Sequence, residues 1–130
     1  MINPFKIGDT KIFMHIVTDA DVARFDTGEV HPVYSTFALA RDAEWSGRLF
    51  VLDMKEPGEE GIGTGITVKH ISPALQGQMV IYTTVLKEVN KNEVVVDYTA
   101  RVKDRVIAEG TTWQKIIKKE KLNSLFDSIS

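Results

Sequence analysis

The sequence contains no cysteine among its 130 residues. Disulfides, thiolate metal ligands and a thiol nucleophile are therefore excluded, and any covalent catalysis must use another group. Charge is nearly balanced, because 16 basic and 18 acidic residues give a formal net charge of −2. Such a chain has no long-range field that attracts nucleic acid or an anionic membrane surface. We therefore expect neither as a partner.

Long apolar runs are also missing. No stretch approaches the roughly 20 consecutive apolar residues of a membrane-spanning helix. The N-terminal segment "MINPFKIGDT" has neither the basic start nor the apolar run of a signal peptide. We therefore expect a cytoplasmic protein.

Histidine is scarce, with three in the chain. His15 and His31 have no second ligand at the spacing of a metal site, so we expect no metal. Gly61, Gly63 and Gly65 do not open a helix after a strand, which excludes the phosphate loops of nucleotide-binding motifs. We also expect no bound cofactor.

The remaining composition is that of an ordinary globular protein, with 43% hydrophobic and 26% charged residues. No internal repeat or flexible linker divides the chain, so residues 1–130 are predicted to form a single domain. Its last segment, residues 118–130, is predicted to be a short helix or a tail.

Two periodicities follow each other along the chain. Residues 9–18 alternate as a strand does, with Ile12, Met14 and Ile16 on one face. From Val33 to Val51 one stripe of mostly small and apolar residues recurs every three or four positions, which predicts a helix with this stripe buried: Val33, Phe37, Ala40, Glu44, Gly47 and Val51. A segment containing proline and glycine ends it. Four later segments alternate or are rich in β-branched residues, which predicts strands at 61–72, 78–89, 93–102 and 105–117.

This order predicts an α+β fold in which an antiparallel sheet of about five strands covers one central helix. A helix of about 19 residues is near 28 Å long, so it needs a broad sheet. Two folds satisfy the pattern: the hotdog fold, with a curved sheet wrapped around the helix, and a cystatin-like or cone-shaped α+β fold. The small helix residues favour close wrapping and hence the hotdog fold: Ala38, Ala40, Ala43 and Gly47.

His70 lies near the end of a predicted strand, on the same face as Ile66 and Val68. It therefore points inward near a rim, followed by a turn at Pro73. One interpretation is a hydrogen-bonded structural histidine. The other is a functional group presented at the end of a rigid strand.

Glu44 occupies the apolar stripe of the predicted helix. It could be a surface charge that pairs with Arg48 or Arg41, a contact that contributes only a few tenths of a kcal/mol. If it is instead buried, desolvation raises the pKa of its carboxyl toward the range of a general base. Thr36, near the helix start, is either a capping or buried hydroxyl or part of a site.

Two segments together resemble the fluoroacetyl-CoA thioesterase-like branch of the hotdog-fold thioesterases: "VYSTFALARDAEWS" at 33–46 and "GTGITVKHISPALQG" at 63–77. In that family a helix threonine, a helix glutamate before a tryptophan and a strand histidine form the catalytic set. Thr36, Glu44 and His70 match these positions, and the likeness extends from about Gly8 to Ile117. The loop from Asp19 to Pro32 matches it poorly.

The resemblance implies an acyl-CoA thioesterase that is a homodimer with its active site at the subunit boundary. Glu44 would act as base or nucleophile, His70 as acid/base partner, and Thr36 would position water or the carbonyl. The geometry adds a constraint, since eight helical residues separate Thr36 from Glu44 by about 12 Å. The fluoroacetate-specific member has an aromatic gate shortly before its helix, where this chain has Val30. We therefore expect a short or medium acyl-CoA substrate.

Three alternatives to this function differ from it in what they require of the sequence. An enoyl-CoA hydratase of the same fold would have an Asp-x-Asn-x-x-x-His pattern, which the sequence lacks. A non-catalytic acyl-CoA or small-ligand binding module would keep the fold without the chemistry, and the intact set of three polar residues argues against it. A cone-shaped fold would leave Glu44 and His70 far apart.

Overall fold

The structure, a computed structural model, describes residues 1–28 and 30–130. Five long strands form its main sheet: β1 (Thr10–Ile16), β4 (Glu59–Ile66), β6 (Met79–Asn90), β7 (Glu93–Val102) and β8 (Arg105–Lys118). Their spatial order is β1-β6-β7-β8-β4, and all neighbours are antiparallel. A two-residue strand, β5 (Lys69–His70), continues beside β8 beyond the end of β4. The predicted strands are thus confirmed, except that segment 61–72 divides into β4 and β5.

The central helix, α1 (Thr36–Met54), packs against the inner face of this sheet. It begins at Thr36 because Ser35 is its N-cap, with the Ser35 hydroxyl accepting a hydrogen bond from the Ala38 amide at 3.0 Å. It ends at Met54, before Pro57 and a left-handed Gly58. The predicted start at Val33 was wrong by three residues, because the chain before Ser35 is extended.

The residues just before α1 form a small second sheet. A 3₁₀ turn at Asp19–Asp21 leads into β2 (Val22–Arg24), which pairs with β3 (Val30–Tyr34). A loop was predicted for residues 19–32, so this hairpin was missed. It lies beside the first turn of α1, because the Ser35 amide donates to the Asp21 carbonyl at 2.9 Å.

The core lies between α1 and the inner face of the main sheet. Its two adjoining clusters include aromatic residues such as Tyr34, Tyr82 and Tyr98 in one, and Phe50 in the other. The buried face of the helix shares only Gly47 and Val51 with the predicted stripe and consists of Ala38, Leu39, Asp42, Ala43, Ser46, Gly47, Phe50, Val51 and Met54. Phe37, assigned to the buried face from the sequence, is 85% exposed.

The aliphatic row of β1 faces outward. Ile12, Met14 and Ile16 are 58%, 57% and 52% exposed, while Phe13 and His15 on the opposite face approach the core. The chain ends in a second helix, α2 (Lys119–Ile129), in the segment for which a short helix or tail was predicted. Neither helix in the described ranges is both long and apolar enough to cross a bilayer.

Candidate active site

Thr36 and His70 meet in one chain. Thr36 is the first residue of α1, and His70 is the last residue of β5, where it pairs with Ala108 of β8. Their side chains are hydrogen-bonded, with 2.9 Å between Thr36 Oγ1 and His70 Nδ1. The wrapping of the sheet around the helix therefore brings together two of the three residues that the sequence singles out, although they are 34 positions apart.

His70 is partly buried, and its second ring nitrogen faces the interior. Among the residues that the structure describes, Nε2 has no hydrogen-bond partner. Burial lowers the pKa of His70 below its ordinary value, and a contact with the Ser72 backbone opposes this only in part. A lowered pKa keeps the imidazole neutral at neutral pH, with one of its nitrogens able to accept a proton.

Glu44 is exposed, so its predicted place on the buried stripe was wrong. Its carboxylate lies against Gly63 of β4, where a Cβ atom would be 2.0 Å from Glu44 Oε1. Gly63 is therefore the residue whose missing side chain makes room for this carboxylate. Neither predicted surface pair is present, since Arg48 donates to the Gly61 carbonyl and Arg41 binds other carboxylates.

Glu44 does not join the Thr36–His70 pair within the chain. Thr36 and Glu44 both lie in α1, where eight residues correspond to about 12 Å. Along β8, Gly63 is opposite Gln114 whereas His70 is opposite Ala108. Six residues of strand correspond to about 20 Å. The third predicted residue therefore lies well away from the other two.

A cleft of about 540 Å³ opens beside Thr36, between the β2–β3 hairpin and the first turn of α1. It is bounded largely by apolar atoms. Its lining consists of Ala20, Val22, Ala23, Arg24, Phe25, Ser35, Thr36, Phe37, Ala38 and Arg41. The Thr36–His70 pair thus lies next to a space with the volume of a small-molecule site.

A buried polar cluster that was not predicted lies beneath the start of α1. His15 Nε2 is 2.7 Å from Asp21 Oδ2 and 3.4 Å from Asp42 Oδ2. The Arg41 guanidinium binds both carboxylates, at 2.8 Å to Asp21 and 3.0 Å to Asp42. The Tyr34 hydroxyl donates to Asp42. These residues come from four separate elements, so no spacing in the sequence indicates the cluster.

His15, Asp21 and Asp42 are ligand-type residues whose candidate atoms all lie within 4.8 Å of one another. They are the residues of this chain that could hold a metal by type. Burial raises the pKa of Asp21, but hydrogen bonds from Thr18, Arg41 and His15 lower it by more, so the pKa is below its ordinary value. The carboxylate therefore already has its donors. The guanidinium supplies the positive charge that a cation would supply, which indicates a structural network. The absence of a metal stays a prediction.

One family of known proteins matches the chain. The sequence profile of the family described as fluoroacetyl-CoA-specific thioesterase matches residues 17–120. No curated protein sequence matches the chain significantly.

Solved structures are similar over nearly the whole chain. A hypothetical protein of Thermus thermophilus, a thioesterase superfamily member, is 32% identical with a TM-score of 0.92, over 98% of this chain and 95% of its own. The fluoroacetyl-CoA thioesterase FlK is 23% identical with a TM-score of 0.88, over 97% and 98%. A hot-dog-like protein from Thermanaerovibrio acidaminovorans is 19% identical with a TM-score of 0.86, over 97% and 94%. The predicted hotdog fold is confirmed.

FlK has also been solved with small molecules. Its variants hold fluoroacetate, acetyl-CoA, or fluoroacetate together with CoA.

Proposed function

The chain belongs to the fluoroacetyl-CoA-specific thioesterase family, and on that premise we propose that it hydrolyses a short or medium acyl-CoA thioester to the free acid and CoA. The observation that carries the proposal is the Thr36–His70 hydrogen bond at the edge of an apolar cleft. A hydroxyl and a neutral imidazole at such a position have the chemistry that acyl transfer from a thioester requires.

Thr36 is proposed to bind the thioester carbonyl. If His70 Nδ1–H donates to Thr36 Oγ1, the Thr36 hydroxyl proton remains free to bind the carbonyl oxygen, where negative charge develops during attack. In this tautomer the buried Nε2 carries a lone pair, so proton exchange with the substrate passes through the Thr36 hydroxyl and Nδ1. His70 thereby orients Thr36 and serves as acid/base partner at once.

Glu44 is proposed to activate the attacking water. Its carboxylate accepts one proton from water while the water oxygen bonds to the carbonyl carbon, and the C–S bond then breaks. The proton passes from the carboxylic acid to the CoA thiolate, directly or through His70. Direct attack by the carboxylate, with an acyl-enzyme intermediate, is the other route that a glutamate permits.

The active site is proposed to be shared between two copies of the chain. Within one chain, Gly63, against which Glu44 packs, lies about 20 Å along the sheet from His70. Glu44 is therefore too far from His70 to act with it. Strand β4, against which Glu44 packs, pairs only with β8 in the described part of the chain, so its outer edge is open. Gly63, Thr64 and Gly65 are exposed there and carry no charge that would block pairing.

Pairing of two β4 strands across this edge would supply the missing carboxylate. In an antiparallel pair related by a two-fold axis, the start of one strand lies beside the end of the other. The Glu44 carboxylate, above Gly63, is thereby carried toward the partner's β5, which follows the end of β4. A homodimer with two identical sites is the proposed active form.

The acyl group is proposed to occupy the cleft beside Thr36. Its volume of about 540 Å³ greatly exceeds that of a two-carbon acyl group, which supports a short or medium chain. The FlK variants that hold acetyl-CoA and CoA support CoA as the carrier. A cytoplasmic location stays a prediction.

The test is a panel of acyl-CoA thioesters of increasing chain length, with released thiol measured by a chromogenic reagent. Wild type should release thiol, whereas Glu44→Gln and His70→Ala should lower kcat by about 10²- to 10⁴-fold while remaining folded. Lys103→Ala, at an exposed hairpin, is a matched control that should behave as wild type. Wild-type rates for both site variants would contradict the assignment.

A further inference from the structure

Three residues before His70, the hydrogen-bond ladder between β4 and β8 changes its acceptor. The Thr67 amide donates to the Thr111 carbonyl at 2.9 Å, as in a regular antiparallel pair. The return bond is different, since the Thr111 amide donates to the Thr67 side-chain hydroxyl at 2.9 Å. The Thr67 carbonyl is thereby released from the ladder.

This released carbonyl is held from inside the core. The hydroxyl of Tyr98, on β7, donates to the Thr67 carbonyl oxygen at 2.8 Å. Tyr98 is 2% exposed, and burial raises its pKa to about 12, so its hydroxyl remains protonated at neutral pH. The peptide that follows Thr67 is therefore turned toward the inner face of the sheet.

Gly110 of β8 makes this turned peptide possible. A Cβ atom at position 110 would lie 2.0 Å from the Thr67 carbonyl oxygen and 2.8 Å from the Tyr98 hydroxyl. Real Cβ atoms do not approach backbone so closely, so a side chain here would displace the carbonyl. A glycine, a tyrosine and a threonine side chain together build this one local distortion.

The distortion lies immediately before the two-residue strand that carries His70. After His70, the amides of Ile71 and Ser72 both donate to the Ile107 carbonyl, at 2.7 and 3.1 Å. The segment from 67 to 72 is thus fixed at both ends, by Tyr98 before His70 and by Ile107 after it. The 2.9 Å contact between His70 and Thr36 depends on this backbone path.

We propose that Tyr98 is a positioning residue for the thioesterase reaction: by binding the Thr67 carbonyl, its hydroxyl fixes the backbone that directs His70 at Thr36. This assignment rests on the proposed role of His70 in hydrolysis. Tyr98 touches neither substrate nor reacting atoms in this scheme, and it acts only through the chain between Thr67 and His70.

Tyr98→Phe removes the hydroxyl and keeps the ring. We expect kcat to fall about tenfold, which is the loss of rate that weakening the Thr36–His70 hydrogen bond would cause. The KM for the acyl-CoA should stay within about twofold of wild type. In addition, the pKa of His70, followed by NMR titration without substrate, should rise toward its ordinary value because the loosened segment admits water.

Thr67→Val is the second variant and is less demanding on folding, because Thr67 is exposed. Without the hydroxyl acceptor, the Thr111 amide must turn back to the Thr67 carbonyl and draw it away from Tyr98. The same two changes, in kcat and in the pKa of His70, are expected. The matched control is Thr84→Val. Like Tyr98, Thr84 has a buried hydroxyl that donates to a backbone carbonyl, in this case that of Lys11 at 3.0 Å.

The proposal is overturned if Tyr98→Phe and Thr67→Val leave the pKa of His70 unchanged, or if Thr84→Val shifts it equally. Unfolding of Tyr98→Phe together with an unchanged pKa in Thr67→Val would also overturn it. Failure of the proposed function has a different signature. In that case His70→Ala retains activity, while the NMR titration still reports whether Tyr98 sets the environment of His70.

Discussion

Replacement of Gly63 by alanine should disable Glu44 while leaving the glutamate itself in place. The added Cβ would lie 2.0 Å from Glu44 Oε1 and 3.1 Å from its Cδ, whereas ordinary contacts begin near 3.4 Å. The carboxylate must therefore move by about 1.4 Å, since 3.4 − 2.0 = 1.4. A displacement of about 1 Å in a catalytic group can lower a rate by about 10²-fold. We expect a loss of this size in kcat for acyl-CoA hydrolysis.

Stability should respond differently from activity. Gly63 has no left-handed backbone, so alanine is compatible with the strand, and the free energy of unfolding should change by less than about 1 kcal/mol. Gly65→Ala is the matched control, because its Cβ would contact Trp113 at 3.3 Å and does not approach Glu44. Both variants should keep the molecular mass of the wild-type assembly.

A double-mutant cycle tests the cause. If Gly63→Ala acts through the carboxylate, it should have no further effect on the residual rate of Glu44→Gln. Additive losses in the cycle, an unchanged kcat in Gly63→Ala, or an equal loss in Gly65→Ala would each refute the reasoning.

Three further predictions concern protonation and the network beneath the helix. Because burial lowers the pKa of His70, the acidic limb of kcat/KM should fall below pH 6.5, with activity lost as pH decreases through that pKa; a limb above about 6.5 would disagree. Thr36→Val should lower kcat about 10²-fold through loss of one oxyanion donor, measured with the best acyl-CoA of the panel, and a loss confined to KM would argue against this role. Asp21→Asn should lower the free energy of unfolding, measured in urea, by about 2 to 3 kcal/mol. This loss is smaller than that for breaking a fully buried ion pair, because the Arg41 side chain is 51% exposed. A loss below about 0.5 kcal/mol would show that the cluster is not structural.

The pH dependence of the Asp21 effect has a fixed sign. The pKa of Asp21 is lowered in the folded state, so its contribution to stability is present above the unfolded value near 3.9. It is lost as pH falls through the lower folded pKa. The part of the difference between wild type and Asp21→Asn that comes from titration of this carboxylate should therefore shrink only in acid.

The sheet could be predicted from the sequence because its strands are long and alternate clearly. Segment 93–102 coincides with β7, and the short turns at Lys91 and Lys103 have the left-handed backbone of tight hairpins. The helix was displaced by three residues because Val33 is apolar and fits the helical period, although it belongs to β3. Ser35, which begins a Ser-Thr pair before an apolar run, is the local signal for the true start.

The buried face of the helix could not be read from hydrophobicity alone. It contains Asp42, whose partner Tyr34 lies in another element, and Ser46, whose hydroxyl donates to the Ala43 carbonyl of the same helix, while the apolar Phe37 is exposed. The buried cluster around His15 escapes sequence analysis for a related reason. Its members belong to β1, the 3₁₀ turn, β3 and the helix, and only the folding of the whole chain brings them together.

The candidate site could likewise be predicted only in part from the sequence. The approach of Thr36 to His70 follows from the fold, which joins a helix start to a strand end, and the family resemblance selected these two residues. Glu44 was selected too, but its place on a buried stripe was wrong, and its relation to the other two residues depends on how two chains meet. Sequence periodicity contains no information on that contact.

The most direct test of a shared site is activity in mixed dimers. Glu44→Gln and His70→Ala chains, each nearly inactive alone, are mixed, dissociated and reassociated in equal amounts, and thiol release is then measured. A heterodimer contains one intact site, with Thr36 and His70 from the first chain and Glu44 from the second. Random pairing places half of all dimers in this form, so about a quarter of wild-type activity should return. Mixtures that reassociate fully but stay as inactive as their parents would contradict a site built from two subunits.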